Sequence, residues 1–407
     1  MAGGGRVHAA SMQKDRVPAA STKPQTSPPV GQVNAVSAAF GGLIATAAAL
    51  GIGRFVYTPI LPPMLEALKL SESQAGLIAS ANFVGYLIGA LLAGMPQLPG
   101  SRAVWLLGSL AISAVSTAGM GLAHTLSAFL ILRLVGGAAS AFVLILVSTA
   151  VLESLAQARR NELSAVLFAG VGTGIAISAA LVAALLHLGQ SWRALWLASG
   201  ALSLAAVLPA ALLLPRIAGS AAQISKQTNS VARSGSLRLV AAYGLFGFGY
   251  IITATFLVAI VRATPAIQAL EPLIWVVFGI AAVPSVALWT RIATPLGIPA
   301  TFAMACTVEA AGVLASVLWP TTMGVFLAAI LVGGTFMGLT ALGLMEARVR
   351  TVGDPRRALA LMTVAFGLGQ IVGPIFAGIA SEQLGSFTAP SIVAALALVL
   401  AALLVFR

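Results

Sequence analysis

Phe129-Leu130-x-x-x-Leu134-Val135-Gly136-Gly137 returns as Phe326-Leu327-x-x-x-Leu331-Val332-Gly333-Gly334, a shift of 197 residues (326 − 129). In a chain rich in Leu, Val and Gly, one such match can arise by chance. The same shift, within two residues, carries Gly51-x-Gly53 onto Gly247-x-Gly249 and Pro99 onto Pro295. It also carries Gly170-x-x-x-Gly174 onto Gly369-x-x-x-Gly373. Several matches at one spacing argue for a tandem duplication of a unit of about two hundred residues.

The residues around these runs set the medium in which the unit folds. Hydrophobic residues make up 59% of the chain and charged residues 8%, with a mean hydropathy of +1.02. A soluble chain of 407 residues needs a polar surface that this composition cannot supply. Apolar runs of about 18 residues or more, long enough to span a bilayer as helix, recur throughout. The expected fold is an all-α membrane protein with twelve transmembrane helices in two six-helix pseudo-repeats. A parallel duplication in such a chain marks secondary transporters whose solute path runs between the halves.

Other classes lack their signatures. The net charge of +12 and pI of 11.2 come from basic residues scattered in short connectors, not gathered on one face, which speaks against nucleic acid. Cys306 is alone, so an intrachain disulfide or a cysteine metal site is ruled out. His8, His124 and His187 are far apart, with no spacing suited to metal or acid–base work, and no phosphate-binding Gly-x-x-x-x-Gly-Lys-Ser/Thr loop occurs. An integral-membrane group transferase would need such a cluster; no catalytic residue, metal or cofactor is expected, and the chain is read as not an enzyme. A transport-dead sensor has the same composition, though an appended signalling domain, its usual sign, is missing.

Residues 1–32 are rich in Gly, Ser and Pro, carry Arg6, Lys14, Arg16 and Lys23, and lack the apolar core of a cleavable signal. They read as a disordered cytoplasmic tail. The N-terminal half covers 33–214, with spans near 34–62, 74–97, 103–123, 126–152, 163–187 and 192–214. A polar linker, 215–237, leads to the C-terminal half, 238–407, with spans near 238–261, 273–293, 299–319, 323–346, 358–381 and 388–406. With the tail inside, the inner connectors collect Arg102, Arg159, Arg160, Arg216, Lys226, Arg348, Arg350 and Arg407 among others. The outer ones hold only Lys69, Arg193 and Arg262. Positive charge is retained inside during insertion, so both termini and the linker are expected on the cytoplasmic side of a bacterial inner membrane.

Three charged residues fall well inside the expected spans: Arg54, Arg133 and Glu309. An ionised group near mid-bilayer costs at least ~2.5–3.5 kcal/mol, so each needs a partner or a water-filled path. Arg54 lies eight residues before Pro62, and Arg133 about seven residues into the fourth span. Both are therefore roughly 10–12 Å below the outer surface, as is Asn82. Two guanidiniums at one level repel unless an anion lies between them, and Arg grips carboxylate or phosphate through paired hydrogen bonds. Alternatively, each is bonded to helix carbonyls freed by Pro59, Pro62 or Gly136-Gly137. Under the repeat Arg54 corresponds to Tyr250, so the second half offers uncharged partners such as Tyr250 and Gln370. With Tyr57 and Asn82 these make a candidate substrate-binding set. A carboxyl in an apolar setting can carry and exchange a proton, which makes Glu309 a coupling candidate beside a purely structural reading. Gly170, Gly174, Gly369 and Gly373 suit close helix packing, and Pro374 and Pro284 suit kinks. Placed at matching points of two halves, they suit hinges as well.

The run Gly51-Ile-Gly-Arg54-Phe-Val-Tyr57-Thr-Pro59-Ile-Leu-Pro62, with Tyr243-Gly-Leu-Phe-Gly-Phe-Gly-Tyr250, Ala281-Ala-Val-Pro284-Ser and Phe366-Gly-Leu-Gly-Gln370-Ile-Val-Gly373-Pro374, resembles the major facilitator superfamily over most of 33–406. Within it the chain is similar to the bacterial YbfB/YjiJ-type branch. The resemblance implies alternating-access transport of a small-molecule solute through the lipid bilayer, coupled to protons, by a monomer. Arg133-x-x-x-Gly137-x-Ala139 is similar to the superfamily's fourth-helix motif, whose Arg is tied to proton coupling, so Arg133 is a coupling candidate too. Gly369-x-x-x-Gly373-Pro374-x-x-Ala377-Gly378 resembles the antiporter motif. That motif belongs on the fifth helix, where Ile175 stands in place of Pro. In the second-to-third-helix motif Gly94 and Arg102 fit, while Leu98 and Thr294 replace the aspartates of the two halves.

Overall fold

The computed structural model describes residues 1, 3–5, 34–95, 99–214, 234–350 and 356–406. Most of the expected tail and linker, together with Leu98 and Arg407, lie outside the described residues. Val33–Arg407 forms one compact unit, and within it the described residues are helical, without strands.

The helices are α1 (Ala35–Leu68), α2 (Glu72–Ala93), α3 (Arg102–Met120), α4 (Leu126–Gln157), α5 (Asn161–His187) and α6 (Trp192–Leu213). The second set is α7 (Leu237–Arg262), α8 (Gln268–Ala282 and Ser285–Leu296), α9 (Ile298–Leu318), α10 (Thr322–Arg350), α11 (Ala358–Leu384) and α12 (Thr388–Phe406). Eleven are individually long and apolar enough to cross a membrane, and the two pieces of α8, bent by 43°, supply the twelfth when taken as one span. The break falls at Val283-Pro284, where the proline lacks the N–H that would continue the ladder. Pro374 lies inside α11, which continues through it as one helix.

Several ends outrun the hydropathy. α1 continues past Pro62 to Leu68, because Ile60, Leu61 and Met64 are fully buried and hold this stretch against the core. Ser154 and Leu155 are buried too, which carries α4 past Glu153. At the end of α10 an i,i+4 ion pair joins Arg350 Nε to Glu346 Oε1 at 2.6 Å. α2 starts at a capping box of Ser71 and Gln74.

The duplication read in the sequence is built into the packing. A Cβ on Gly170 of α5 would stand 2.3 Å from the Leu43 carbonyl oxygen of α1, and one on its equivalent Gly369 of α11 would stand 2.2 Å from that of Gly244 on α7. The Gly-Gly pairs bring the same helices together one position apart: Gly137 of α4 lies against the Asn82 carbonyl of α2, whereas in the second half it is Gly333, the equivalent of Gly136, that lies against the Phe278 carbonyl of α8. Matched runs pack on matched helices, as two copies of one unit should. Between the halves, α2 packs on α11 and α5 on α8.

Polar contacts between the halves gather toward the face away from residues 34 and 406. Arg262 of α7 pairs with Glu66 at the end of α1 and with Glu271 at 3.1 Å. The Ser73 amide donates to Glu382 (3.1 Å), Thr58 Oγ1 to the Ala254 carbonyl (2.7 Å) and Ser80 Oγ to that of Ile371 (2.7 Å). The two halves are thus closed on each other at this face.

Candidate functional site

α1 is not a continuous helix. Ala35–Thr46 gives way to a π-helical stretch, Ala47–Ile52, then to a turn at 53–56, before α-helix resumes at Tyr57. The Gly53 and Phe55 amides reach back five residues, to Ala48 (2.9 Å) and Leu50 (3.2 Å), and the Thr58 amide bonds Phe55 in place of Arg54. Interruptions of this kind free carbonyls and recur at functional positions.

Arg133 takes those carbonyls. From α4 its Nη1 donates to Gly53 O at 3.1 Å and its Nη2 to Arg54 O at 3.0 Å, while its guanidinium lies 5.0 Å from the Tyr57 ring centre. Asn82 Nδ2 donates in turn to the Arg133 carbonyl (3.0 Å), and the Tyr57 hydroxyl donates to Ala75 O (2.8 Å). The expected pair of guanidiniums facing one anion is therefore not what the fold builds: both terminal nitrogens of Arg133 are spent on the broken helix.

Arg54 sits on the break itself, 5% exposed, in a different setting. Its guanidinium carbon lies 4.5 Å from the ring centre of Phe83, 4.6 Å from Tyr86 and 5.3 Å from Phe55. Its Nε and Nη2 are buried without a hydrogen-bond partner. Contact with an aromatic face is worth about 2 kcal/mol where water is excluded, so two such rings offset much of the cost of the charge. They leave its donors unmet. Nε and Nη2 form one edge of the guanidinium, the edge that matches two oxygens of a carboxylate or phosphate.

Across the bundle, α7 brings Tyr250 within electrostatic reach of both Arg54 and Glu309. Gln370 of α11 donates through Nε2 to the Tyr250 hydroxyl, and its Oε1 is buried without a partner. The Tyr250 ring lies nearly parallel to Phe366 (5.8 Å, 5°) and Phe336 (5.7 Å, 11°), and Phe336 meets Phe55 edge-on at 5.9 Å. An aromatic wall thus runs from beside Arg54 to Gln370.

Glu309 of α9 is fully buried, and neither carboxyl oxygen has a hydrogen-bond partner within 3.5 Å. The neighbouring Thr335 hydroxyl is committed to the carbonyls of Leu331 (2.6 Å) and Val332 (3.1 Å) on its own helix. A negative charge left alone there is costly, so Glu309 must either hold a proton or have a cation at hand.

The fold brings together Arg54, Arg133, Tyr57 and Asn82 in the first half and Tyr250 with Gln370 in the second. Gly170, Gly174, Gly369 and Gly373 lie behind them, packing α5 on α1 and α11 on α7. Pro374 lies between the halves, its carbonyl 2.2 Å from where a Gly76 Cβ would stand. A surface depression of about 430 Å³, lined by Glu72, Thr264, Ser316, Ser381 and Glu382 among others, lies at the closed face and includes neither arginine. Sequence reading missed Phe83 and Tyr86; three residues apart on α2, they share a face, a signal that Asn82 alone concealed.

A duplicated twelve-span bundle, with a broken first helix carrying buried charge toward the second half, defines a transporter of the major facilitator type. Residues 46–406 match the family described as uncharacterised MFS-type transporter YbfB, and the chain belongs to that family. The family is one of transporters and not of enzymes. No curated protein matches the chain. Among solved structures it is similar to the nucleoside transporter NupG (17% identity, TM-score 0.66, covering 92% of this chain and 99% of that one) and to a point mutant of NupG (15%, 0.68, 91% and 98%). It is also similar to a bacterial homologue of the human lysosomal transporter Spinster in an inward-facing, unoccupied conformation (15%, 0.65, 91% and 96%). At these identities the likeness is one of fold.

Proposed function

We propose that the chain is a secondary active transporter that moves a small organic anion across the bacterial cytoplasmic membrane by alternating access, driven by protons. The observation that carries the reading is the unpartnered Nε–Nη2 edge of Arg54, buried at the break of α1. Arg133 anchors both of its Nη atoms on carbonyls and leaves only Nε unpartnered. Arg54 keeps an edge in reserve, on the element that faces the second half. Closure at the face away from the termini, just beyond Arg54, supports a rocking motion about that level. Glu309 supports the proton: it is a buried acid beside the Thr335 hydroxyl, with no ion-pair partner among the described residues, and Tyr250 lies within electrostatic reach of both it and Arg54.

Metabolite profiling inside and outside cells with and without the protein tests the cargo. An organic anion should redistribute with the wild type and stop doing so with Arg54→Ala; a neutral or cationic solute would reject the anion site. In vesicles, collapsing the pH gradient at fixed membrane potential should slow transport, and Glu309→Gln should remove that dependence. Undiminished transport with a sodium requirement would reject proton coupling.

A further inference from the structure

The charge and ring content around Arg54 narrow the anion further, on the reading of Arg54 given above. We propose that the cargo is a planar aromatic monocarboxylate, its carboxylate on the Nε–Nη2 edge of Arg54 and its ring on the wall formed by Phe55, Phe336 and Tyr250. The opposite end of the ligand meets Gln370.

The number of carboxylates is limited to one by the donors left free at the site. Arg54 and Arg133 are the positive groups buried there; both Nη atoms of Arg133 are already bonded to Gly53 and Arg54 carbonyls, which leaves it a lone Nε, whereas Arg54 keeps Nε and Nη2 side by side. Arg54 alone keeps two adjacent nitrogens free of protein partners, enough to seat a single carboxylate; a phosphate monoester or a dicarboxylate would place its second anionic group off that edge, without a paired donor to receive it. The body is set by the wall. Arg54 lies on Phe55, Phe55 on Phe336 and Phe336 on Tyr250, at centre separations of 5.3, 5.9 and 5.7 Å. Such faces favour a flat π-system in offset-stacked or edge contact over a short polar chain. The far end is set by Gln370, whose Oε1 is buried and unpartnered while its amide nitrogen is given to Tyr250. It offers an acceptor to an N–H or O–H across the ring from the carboxylate. An acid with a para hydroxyl or amino group therefore fits better than the unsubstituted ring.

The test is ligand binding to the purified full chain, by thermal shift and tryptophan fluorescence. The probes are benzoate, 4-hydroxybenzoate, acetate, phthalate, phenyl phosphate and benzyl alcohol, against wild type, Arg54→Ala, Arg54→Lys and Phe336→Leu. Benzoate should bind at least tenfold tighter than acetate, phthalate, phenyl phosphate or benzyl alcohol, with 4-hydroxybenzoate tighter still. Arg54→Ala should lose tenfold or more of that affinity. Arg54→Lys, which keeps the charge without the edge, should recover only part. Phe336→Leu should weaken benzoate and leave acetate where it was. If acetate or a dianion binds as tightly as benzoate and depends on Arg54, the aromatic monocarboxylate is wrong and the anion site stands. If no acid binds in a way that depends on Arg54, both readings fall.

Discussion

Arg133 Nη2 lies 3.0 Å from the Arg54 carbonyl, yet the two side chains answer to different demands. Sequence reading placed both at one depth and left each open to a structural or a binding role. Depth is legible from spacing, but the partner is not, because it depends on which carbonyls the break in α1 releases. The outcomes of truncation should separate accordingly. Each charge-assisted bond to a carbonyl contributes about 1.5–3 kcal/mol, and Arg133 makes two. Arg133→Ala should therefore lower the melting temperature of the purified protein markedly, and Arg133→Lys, lacking the fork, should restore little of it. Arg54→Ala loses ring contacts but no hydrogen bond through Nε or Nη2, and removes an unpaired buried charge, so its melting temperature should fall clearly less than that of Arg133→Ala. Equal losses from the two alanine variants would show that Arg54 is a structural arginine.

At the level of elements, hydropathy located the spans within a few residues, since an apolar helix long enough to cross a bilayer has few alternatives. It did not reveal the π stretch of α1. Bonds that reach back five residues carry no residue signature, and Gly51-x-Gly53 and Pro59 are equally at home at a helix end. The glycine pairs were legible as packing sites, and their neighbours make the cost of filling them predictable. A methyl at Gly174 would meet backbone on α1, with Ala47 O at 2.3 Å and Gly51 Cα at 2.8 Å, whereas one at Gly108 on α3 would meet nothing within 4 Å. Backbone cannot yield as a flexible side chain can, and overpacking of this kind costs about 1–3 kcal/mol. Gly174→Ala should melt well below wild type, as should Gly369→Ala at the second-half equivalent of Gly170, where the added methyl would stand 2.2 Å from the Gly244 carbonyl oxygen. Gly108→Ala should melt at or above wild type, since alanine is the better helix former. If all three behaved alike, α5 and α11 would not lie as close to α1 and α7 as described.

For the whole molecule, the basic-residue bias gives an orientation and the contact pattern gives a state, and together they make one testable geometry. With the termini cytoplasmic, the closed face is the external one. An impermeant thiol reagent added outside should then label a cysteine at the exposed Ser386 and not one at Ser225, each in a Cys306→Ala background; Ser225 lies outside the described residues, in the expected linker. The reverse labelling would invert the molecule. Closure at that face rests partly on Arg262, which ties Glu66 of the first half to Glu271 of the second. The Glu66 side chain is 71% exposed, so solvent screens the pair and its contribution is about 0–1 kcal/mol. Glu66→Gln should accordingly shift the halves toward opening by up to about fivefold, without disturbing the fold. A reporter lies just beneath: Thr58, 3% exposed, bonds across the halves to Ala254 and is reachable from that face only when they part. A cysteine at Thr58 should therefore react with the external reagent several-fold faster when Glu66→Gln is added, and raising the salt concentration should speed the Glu66 parent and leave the Gln variant unchanged. Equal rates in parent and variant at low salt would mean that the ion pair does not hold this face shut, and that packing of α1 on α7 and α2 on α11 does so alone.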